Sequence, residues 1–415
     1  KIHNNTGLKS NCVREFPVKG MPNETGEGYV DYVLWGENGL PLAVIEAKKT
    51  IHSPEKGKHQ AELYADCLER MTGQRPVIFY SNGFETRIWD DTFYPPRNIN
   101  GFYSREELQL AVNRRKERSD IRKIPVNRNI SERYYQEEAI RRVTEHFCSD
   151  KKPAGISGSY RKSLLVMATG SGKTRTVIAL VDILVKAGWV SKVLFLADRN
   201  ALVKQAKNVF NEHLPMLSTV DLTKNKEDKN SRIVLSTYPT MLNLIDSAKG
   251  EDGRFYTPGH FDLIIIDEAH RSVYQKYMAI FDYFDSLLIG LTATPKDEVD
   301  RDTYKLFELP KYDPTYYYEL EQAVKDKFLV PPVGMSVPLK FVREGIKYHD
   351  LAEDEKSEYE DLFYDEESDS MPEVISSNAF SVEAASLNSF TFRRCILLTL
   401  PPKFNKIRKV SALKN

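Results

Sequence analysis

Short runs of apolar residues, separated by helical stretches, recur along the chain from about residue 131. The apolar runs cover 164–167, 193–196, 233–236, 263–266 and 287–291, and two of the helical stretches cover 173–187 and 200–210. Continuous apolar strands that alternate with helices are typical of a parallel sheet with helices on both faces. The sequence therefore predicts an α/β domain in this part of the chain.

A smaller α/β unit is predicted ahead of that domain. Apolar and polar residues alternate over 29–35, an extended run follows at 41–48, and further strands are expected at 76–80 and 86–89. A helical pattern lies between the two pairs of strands, at 57–72. Its apolar stripe comprises Ala61, Tyr64, Leu68 and Met71.

Charged residues cluster in two stretches. The polar stretch 104–130 predicts a solvated helix and then a linker near Pro125, and its basic residues fit either a solvated helix face or a DNA contact. Those residues are Arg114, Arg115, Lys116, Arg118, Arg122 and Lys123. The acidic stretch 344–369 is expected to be solvated or disordered, because like charges repel and little is available to bury. Residues 381–415 carry no motif that predicts a function.

The overall composition narrows the class of protein. The chain has 415 residues, 59 Lys and Arg against 59 Asp and Glu, and 41% hydrophobic residues, which fits two or three globular domains without a global basic surface. Four cysteines without CxxC spacing argue against zinc sites and a disulfide framework. That cysteine pattern fits a reduced, cytoplasmic compartment, and the sequence shows no apolar run of about 18 residues and no signal peptide.

A glycine-containing loop follows the first apolar strand of the larger domain. It comprises Ala168, Thr169, Gly170, Ser171, Gly172, Lys173 and Thr174. In the order strand, loop and helix, the two glycines let backbone N–H groups converge on phosphates at a helix N-terminus. Lys173 is then placed to contact the β and γ phosphates of a nucleotide, and the Thr174 hydroxyl to ligate Mg²⁺. The strict phosphate-loop pattern has glycine at position 167, where this chain has Met.

Two acidic residues follow a later apolar strand. Asp267 and Glu268 come directly after 263–266, so we expect them at the sheet edge that also carries the phosphate loop. Asp267 is placed to hold Mg²⁺, and Glu268 to orient and deprotonate an attacking water. Gln136 precedes the first strand, where its amide is placed to contact an adenine edge.

Together these motifs resemble those of superfamily 2 helicases and translocases, in which Ala or Pro commonly precedes Thr-Gly-Ser-Gly-Lys-Thr. The resemblance implies an RecA-like lobe that binds ATP and Mg²⁺, with His270 in the nucleotide site and two segments on the nucleic-acid backbone. The matching positions are the adenine-reading Gln136, motif I at 168–174, the DEAH motif at 267–270, motif III at 292–294, and backbone-contacting segments at 197–205 and 236–238.

Asp31, Glu46 and Lys48 form a second candidate site on two strands joined by a short turn. A hairpin would bring the two carboxylates together, and Glu46 and Lys48 would face the same side because strand side chains alternate. Two carboxylates suit one or two Mg²⁺ ions, and Lys48 is placed to hold or activate a water for in-line attack on a phosphodiester. Taken alone, the Glu-x-Lys triplet also fits a solvated strand edge.

The following helix adds Gln60 and Tyr64, one helical turn apart on the same face. With Asp31 and the Glu46-x-Lys48 triplet, they resemble the PD-(D/E)xK nuclease fold and the QxxxY helix of its RecB-like branch. The resemblance implies a metal-dependent nuclease in which these five residues are catalytic.

A nuclease of this type ahead of a DEAH-type lobe resembles the restriction (R) subunit of type I restriction–modification enzymes. Residues 41–49, 318–324 and 329–332 also resemble that family's sequence. The resemblance implies a subunit that pairs with modification and specificity subunits, translocates double-stranded DNA with ATP, and cuts it. We therefore expect a nuclease domain at 1–125, an ATPase lobe at 126–312, and the start of an incomplete second lobe at 313–415.

Three other classes fit parts of the pattern. A superfamily 2 translocase with a non-cutting nuclease-like domain would carry the same motifs. A type III or type IIG-like restriction subunit usually has its nuclease after the motor, whereas Glu46 precedes Lys173 here. A non-catalytic DNA-binding or scaffold module would bind neither ATP nor Mg²⁺, and would require all of these motif matches to be accidental.

The sequence contains no QxxGRxxR-like motif to supply arginines to the γ-phosphate, and we therefore expect a longer natural protein. Arginine fingers contribute about 10³- to 10⁵-fold in rate in related phosphoryl-transfer enzymes. We predict that these 415 residues alone hydrolyse ATP slowly in a steady-state assay. Robust DNA-stimulated hydrolysis by this chain alone would contradict the prediction.

Overall fold

The computed structural model describes most of the chain up to residue 331 and short pieces beyond it. The described residues are 11–150, 155–225, 228–247, 255–269, 275–294, 296–299, 301–331, 346–351, 356, 359–360 and 373–375. His270, most of the acidic stretch and residues 381–415 lie outside them. The chain divides into two units, Lys1–Val330 and Pro331–Asn415.

Six strands form the first sheet, in the order in which they occur along the chain. The third and fourth strands are parallel and the other neighbouring pairs are antiparallel. A helix, α1 (Glu55–Thr72), makes the crossover between the two parallel strands. The strands are β1 (Cys12–Lys19), β2 (Glu27–Trp35), β3 (Pro41–Ala47), β4 (Val77–Ser81), β5 (Thr86–Trp89) and β6 (Arg97–Ile99).

Helix α1 forms because its apolar residues recur at helical spacing, and it ends at Gly73, whose φ of 78° is the left-handed conformation of a helix C-cap. Its buried side chains, among them Ala61 and Leu68, pack on one face of the sheet, against Val44 and Ile78. The expectation that Met71 belongs to this stripe is wrong, because its side chain is 46% exposed near the end of the helix.

Helix α2 (Arg105–Glu117) covers the other face of the first sheet. Ser104 caps it, accepting from the Glu107 N–H while the Glu107 carboxylate accepts from the Ser104 N–H. Leu108 and Val112 pack on the sheet, so the predicted solvated helix is in fact half-buried.

The larger α/β prediction is confirmed by a second sheet, in which every neighbouring pair of strands is parallel. Its strand order is β11–β12–β10–β13–β14–β9–β15. These strands are β9 (Lys162–Met167), β10 (Val193–Ala197), β11 (Thr219–Asp221), β12 (Ile233–Thr237), β13 (Leu263–Ile266), β14 (Leu287–Thr292) and β15 (Tyr316–Tyr318). A short antiparallel pair, β7 (Cys148–Asp150) and β8 (Ile156–Gly158), precedes them.

Helices cover both faces of the second sheet because its strands carry apolar side chains on both faces. Leu165 and Met167 of β9 belong to one buried cluster, and Leu164 and Val166 belong to the other. The helices are α3 (Tyr134–Phe147), α4 (Lys173–Lys186), α5 (Asn200–His213), α6 (Tyr238–Ser247), α7 (Gln275–Tyr283), α8 (Arg301–Leu306) and α9 (Leu320–Lys325).

Strand β15 carries the second sheet beyond residue 312, where the sequence analysis ends this domain. Tyr316 pairs with Leu165 and Tyr318 with Met167 of β9. Three consecutive tyrosines do not form the continuous apolar run that identified the other strands. In the unit Pro331–Asn415 the described residues include one antiparallel pair, β16 (Ile346–Lys347) and β17 (Val374–Ile375), so the second lobe stays a prediction.

The two sheets are joined by buried ion pairs. Asp285, which precedes β14 and has a side chain only 6% exposed, accepts hydrogen bonds from Arg97 at 2.7–3.0 Å, Arg161 at 2.7 Å and Tyr103 at 2.6 Å. Burial by itself would raise the pKa of Asp285, but Arg161 and Arg97 outweigh it and hold that pKa below its usual range. This carboxylate therefore stays charged and links β6 to the second sheet.

Helix α2 makes a second such link and uses part of the basic cluster. Arg114 donates to both oxygens of Asp262, at 2.5 and 2.6 Å, and both side chains are 10% exposed. Arg115 pairs with Asp90 at 2.8 Å, and the Arg118 guanidinium lies 4.1 Å from the centre of the Phe93 ring. These arginines are committed within the protein, so neither a solvated face nor a DNA contact describes them.

Within the described part of the chain, none of the helices has the length and apolar character needed to cross a membrane.

We predict that Asp285→Ala lowers the free energy of unfolding by about 3–5 kcal/mol, because it leaves Arg97 and Arg161 buried without their partner. Glu137→Ala is the control, since its partner Arg128 is 79% exposed and such pairs contribute at most about 1 kcal/mol. Urea unfolding at pH 7 measures both. Equal losses in the two variants would contradict the prediction.

The same ion pair also predicts a pH dependence. Since the folded pKa of Asp285 is depressed, its contribution is fully present above the unfolded pKa of about 4 and is lost as the pH falls towards the folded value. The difference in stability between the wild type and Asp285→Ala should therefore shrink below about pH 4 in acid unfolding curves.

Candidate functional sites

The expected hairpin of β2 and β3 places Asp31 next to Glu46. Tyr32 pairs with Ile45, and Asp31 Oδ2 accepts a hydrogen bond of 2.7 Å from the backbone N–H of Ala47. The negative charge of Asp31 is close enough to contribute to raising the pKa of Glu46. The two carboxylates named by the sequence therefore lie together at the end of one strand pair.

Glu46 is a buried carboxylate with one oxygen unused. Its side chain is 4% exposed, Oε1 accepts from Lys48 Nζ at 2.6 Å, and Oε2 is buried without a hydrogen-bond partner. Burial raises the pKa of Glu46, the Lys48 hydrogen bond opposes this, and Asp31 adds to the increase. An unsatisfied buried carboxylate oxygen beside a second carboxylate is suited to a hard divalent cation such as Mg²⁺.

A chain of hydrogen bonds runs from Glu46 to helix α1. Lys48 Nζ also donates to Gln60 Oε1 at 2.7 Å, and Gln60 Nε2 donates to the Tyr64 hydroxyl at 2.6 Å. Lys48 is thus held between a strand carboxylate and a helix amide. The structure brings all five residues of this candidate site together.

The sequence analysis did not identify Gly57, which lets α1 approach these side chains. A Cβ at position 57 would lie 3.1 Å from Cγ of Glu46 and 3.4 Å from Cγ of Lys48. The sequence signal that could have found it is a glycine in the first turn of the helix that follows a Glu-x-Lys strand.

Lys48 also lines an open groove of about 1010 Å³, together with residues from β2, β3 and the turn after β4. Lys49, Asn82 and Phe102 are among the lining residues. Neither Glu46 nor Asp31 is among its lining residues, and Ile45 and Ala47 on the opposite face of β3 are, so the groove meets the candidate site only at Lys48. Among the described residues there is no group of three or more His, Cys, Asp and Glu side chains placed to hold a metal ion, so this site has two carboxylates.

The phosphate loop connects β9 to α4 with two glycines in the left-handed region, Gly170 at φ 84° and Gly172 at φ 88°. The residue that departs from the strict pattern, Met167, is the last residue of β9 and is fully buried. Position 167 therefore lies in the strand, where an apolar side chain packs into the core and no glycine is needed.

Lys173, Asp267 and Glu268 form the charged part of this site. Burial lowers the pKa of Lys173, and both acids oppose that change. Burial also raises the pKa of Asp267, with Glu268 adding to the increase and Lys173 opposing it. Glu268 has a φ of 52°, a conformation that costs non-glycine residues energy and that clusters at functional sites.

Gln136 contacts the phosphate loop directly. Its Nε2 donates to the Ser171 carbonyl at 2.9 Å, and its Oε1 accepts from the Ser131 hydroxyl at 3.0 Å. A Cβ on Gly172 would lie 2.4 Å from Gln136 Nε2. The sequence analysis did not identify Ser131, although it lies in the stretch just ahead of α3.

The other predicted residues of this site lie at the carboxyl ends of neighbouring strands. Thr169 is exposed, Thr174 is half-buried, and Ser171 is buried with its hydroxyl oxygen lacking a hydrogen-bond partner. The candidate backbone-contacting segments 197–205 and 236–238 begin at the ends of β10 and β12, and Thr292 ends β14, where its hydroxyl accepts from the Thr294 N–H at 3.1 Å. His270 is outside the described residues.

Two family models match the chain. The model for the type I restriction enzyme R protein N terminus matches residues 3–97. The model for the type III restriction enzyme res subunit matches residues 129–297. The first covers nearly all of the sheet that carries Glu46, and the second covers all strands but β15 of the sheet that carries the phosphate loop.

Similar proteins include two curated relatives. The EcoAI endonuclease subunit of a type I restriction enzyme from Escherichia coli is 34% identical over 332 residues, which cover 72% of this chain and 37% of the relative. The EcoKI endonuclease subunit from Escherichia coli strain K12 is 27% identical over 412 residues, covering 81% and 33%. The chain thus spans about a third of the length of these relatives.

A solved structure is also similar, a fragment assigned to the HsdR subunit of a type I restriction enzyme from Vibrio vulnificus YJ016. It has 24% identity and a TM-score of 0.34, and the match covers 76% of this chain and 56% of that one. By its two family models, in this order, and its curated relatives, the chain is similar to the N-terminal part of the R proteins of type I restriction enzymes.

Proposed function

We propose that this chain forms the nuclease and first motor lobe of an ATP-dependent type I site-specific deoxyribonuclease. In that role it couples ATP hydrolysis to translocation along double-stranded DNA and to Mg²⁺-dependent double-strand cleavage. The observation that carries the proposal is the buried carboxylate of Glu46, which has an unused oxygen, a bound lysine and a neighbouring Asp31. Modification and specificity subunits are the proposed partners.

In the nuclease site, Asp31 and Glu46 are the residues that would hold Mg²⁺ through oxygen ligands. The ion, when bound, supplies positive charge to the scissile phosphodiester. Lys48 then orients the attacking water with Nζ, and the Gln60 and Tyr64 side chains fix Lys48 in place. This assignment fits the short distances from Glu46 to Lys48 and from Lys48 to Gln60.

In the motor site, backbone N–H groups around Gly170 and Gly172 contact the phosphates of ATP, with the Ser171 and Thr169 hydroxyls beside them. Lys173 supplies a positive charge to the β and γ phosphates. The residues proposed for the Mg²⁺ of the nucleotide are Thr174 and Asp267. Glu268 acts as the base, and Gln136 and His270 complete the nucleotide site.

We further propose that the nuclease domain covers residues 1–125 and that the motor lobe begins at 126. The lobe is taken through β15 rather than ending at 312, because β15 hydrogen-bonds to β9. Residues beyond it are proposed to begin the second lobe. Since Glu46 precedes Lys173, this order favours a type I over a type III or type IIG-like arrangement.

A second candidate function is a superfamily 2 translocase whose nuclease-like domain does not cut. It is favoured by the small number of ligands, because the described residues include no group of three His, Cys, Asp or Glu side chains at the site. The two candidates differ in one measurement, the ATP- and Mg²⁺-dependent cleavage of circular DNA by the complex with its partner subunits. Absence of cleavage would support the second candidate.

We predict that Glu46→Gln lowers the rate of DNA cleavage at least about 10²-fold, because it removes the charge that holds the cation while keeping the shape of the side chain. ATP hydrolysis by the same complex should remain unchanged, since Glu46 lies on the first sheet. Cleavage of covalently closed circular DNA and phosphate release are measured in parallel. The control is Glu85→Gln on the exposed turn after β4, and retained cleavage in Glu46→Gln would exclude the nuclease assignment.

We predict that Lys173→Ala abolishes both ATP hydrolysis and ATP-dependent cleavage by the complex, because the phosphates lose their positive partner. Lys186→Ala is the matched control, since Lys186 ends the same helix, is 53% exposed and pairs only locally with Asp182. Phosphate release and circular-DNA cleavage again provide the measurement. A Lys173→Ala complex as active as Lys186→Ala would show that the loop does not bind ATP.

A further inference from the structure

Tyr135 contacts the phosphate loop at the Ser171 carbonyl. It was not predicted from the sequence motifs. It is fully buried, and its hydroxyl donates to the Ser171 carbonyl at 2.8 Å. That carbonyl also accepts from Gln136 Nε2 at 2.9 Å. A buried carbonyl held by two side-chain donors has a fixed direction, so the peptide between Ser171 and Gly172 is fixed as well.

The ring of Tyr135 is also part of an aromatic contact with strand β15. It stacks on Tyr318 with centroids 3.9 Å apart and ring planes 11° apart. The backbone carbonyl of Tyr318 accepts from the N–H of Ala168 at 2.9 Å, at the start of the phosphate loop. The loop is therefore joined to β15 both through Tyr135 and through its own backbone.

Beyond β15, the segment Asp326–Leu329 closes this cluster. The Tyr318 hydroxyl donates to Asp326 Oδ2 at 2.8 Å, and the Tyr134 hydroxyl donates to the same oxygen. The Phe328 ring meets the Tyr135 ring edge to face at 5.2 Å. A Cβ on Gly170 would lie 3.2 Å from Cδ2 of Leu329, so this segment lies against the loop.

The turn that delivers this segment to the loop has a strained residue. Lys327 has a φ of 64°, while the N–H groups of Phe328 and Leu329 both donate to the Ala323 carbonyl, at 3.0 and 3.1 Å. Glycine is the usual residue at such a helix C-terminus because side chains disfavour this φ. Contacts on both sides of Lys327 maintain the turn. The segment Asp326–Leu329 is thus held by the Ala323 carbonyl and by its contacts with the tyrosine cluster, and a change at the phosphate loop acts on it through these contacts.

We propose that Tyr135 is a positioning residue for the phosphate loop and that it couples nucleotide binding to the segment Asp326–Leu329, through which the chain leaves this unit. The inference rests on the proposed ATP site and extends it. Tyr135 acts through the Ser171 carbonyl and through Tyr318 rather than on the nucleotide. Binding of phosphates to the loop then orders the segment, and loosening the segment weakens the binding.

The test uses the 415-residue chain and ADP that carries a fluorescent N-methylanthraniloyl group. Tyr135→Phe keeps the ring and removes the hydroxyl, which donates to the Ser171 carbonyl and accepts from Arg133 Nη1, so we expect its Kd for this ADP to rise about 3- to 10-fold. In hydrogen exchange, ADP should slow the backbone amides of residues 323–329 in the wild type and protect them less in Tyr135→Phe. Tyr317→Phe is the matched control, because Tyr317 is on the same strand and 52% exposed.

Asp326→Asn tests the coupling from the other end if Tyr135→Phe does not fold. Because Asp326 is a partly exposed anchor that accepts from Tyr318, Tyr134 and Gln322, and asparagine keeps only one acceptor oxygen, this variant should fold and reduce the ADP-dependent protection of 323–329. The coupling proposal is overturned, and the proposed nucleotide site stands, if Tyr135→Phe has the same Kd as Tyr317→Phe. The same holds if ADP protects residues 323–329 in Asp326→Asn as fully as in the wild type. If the wild type binds no ADP, or Lys173→Ala binds it equally well, the proposed nucleotide site fails and the coupling fails with it.

Discussion

One buried carboxylate, Asp285, determines how the two sheets of this protein sit against each other. It lies at the start of a central strand of the parallel sheet, and its partners Arg97 and Tyr103 come from the part of the chain that continues the first sheet. A charge this buried is tolerated only when its partners are fixed in direction. The position of the nuclease-type site relative to the motor lobe therefore depends on a few directional hydrogen bonds and not on a large apolar contact alone.

The two candidate sites compensate the desolvation of their buried charged groups in different ways. In the motor site, two acids and a lysine lie at one sheet edge, where both acids compensate part of the desolvation of Lys173 and Lys173 compensates part of that of Asp267. In the nuclease-type site, Lys48 compensates only one oxygen of Glu46, and the other oxygen has no partner. The deficit of positive charge at Glu46 is what a divalent cation would supply, and this is why the carboxylate carries the functional proposal.

Much of the fold could be predicted because apolar runs and helical spacing are local signals. The strands ending at Met167, Ala197 and Ile266 are continuous apolar runs, and all three were anticipated. Strand β15 was not predicted, because the three tyrosines of Tyr316–Tyr318 do not form an aliphatic run. Its pairing with β9 also joins residues that are about 150 positions apart in the chain. The approach of Gly57 to Glu46 and the stack of Tyr135 on Tyr318 are likewise tertiary contacts. A sequence pattern does not give the distance between two such residues.

The same limit applies to charge. A run of arginines and lysines over 114–123 fits a DNA-binding surface equally well in sequence, but Arg114 pairs with Asp262 and Arg115 with Asp90. Their partners are far away in the chain, so the run could not be assigned without the fold. The net charge of zero thus includes arginines that neutralise buried acids. The exposed strand-end loops, among them Asp198–Arg199 after β10, lie at the same sheet edge as the phosphate loop and are the proposed DNA contact. The constraint that places the phosphate loop therefore also places the loops that are proposed to contact DNA.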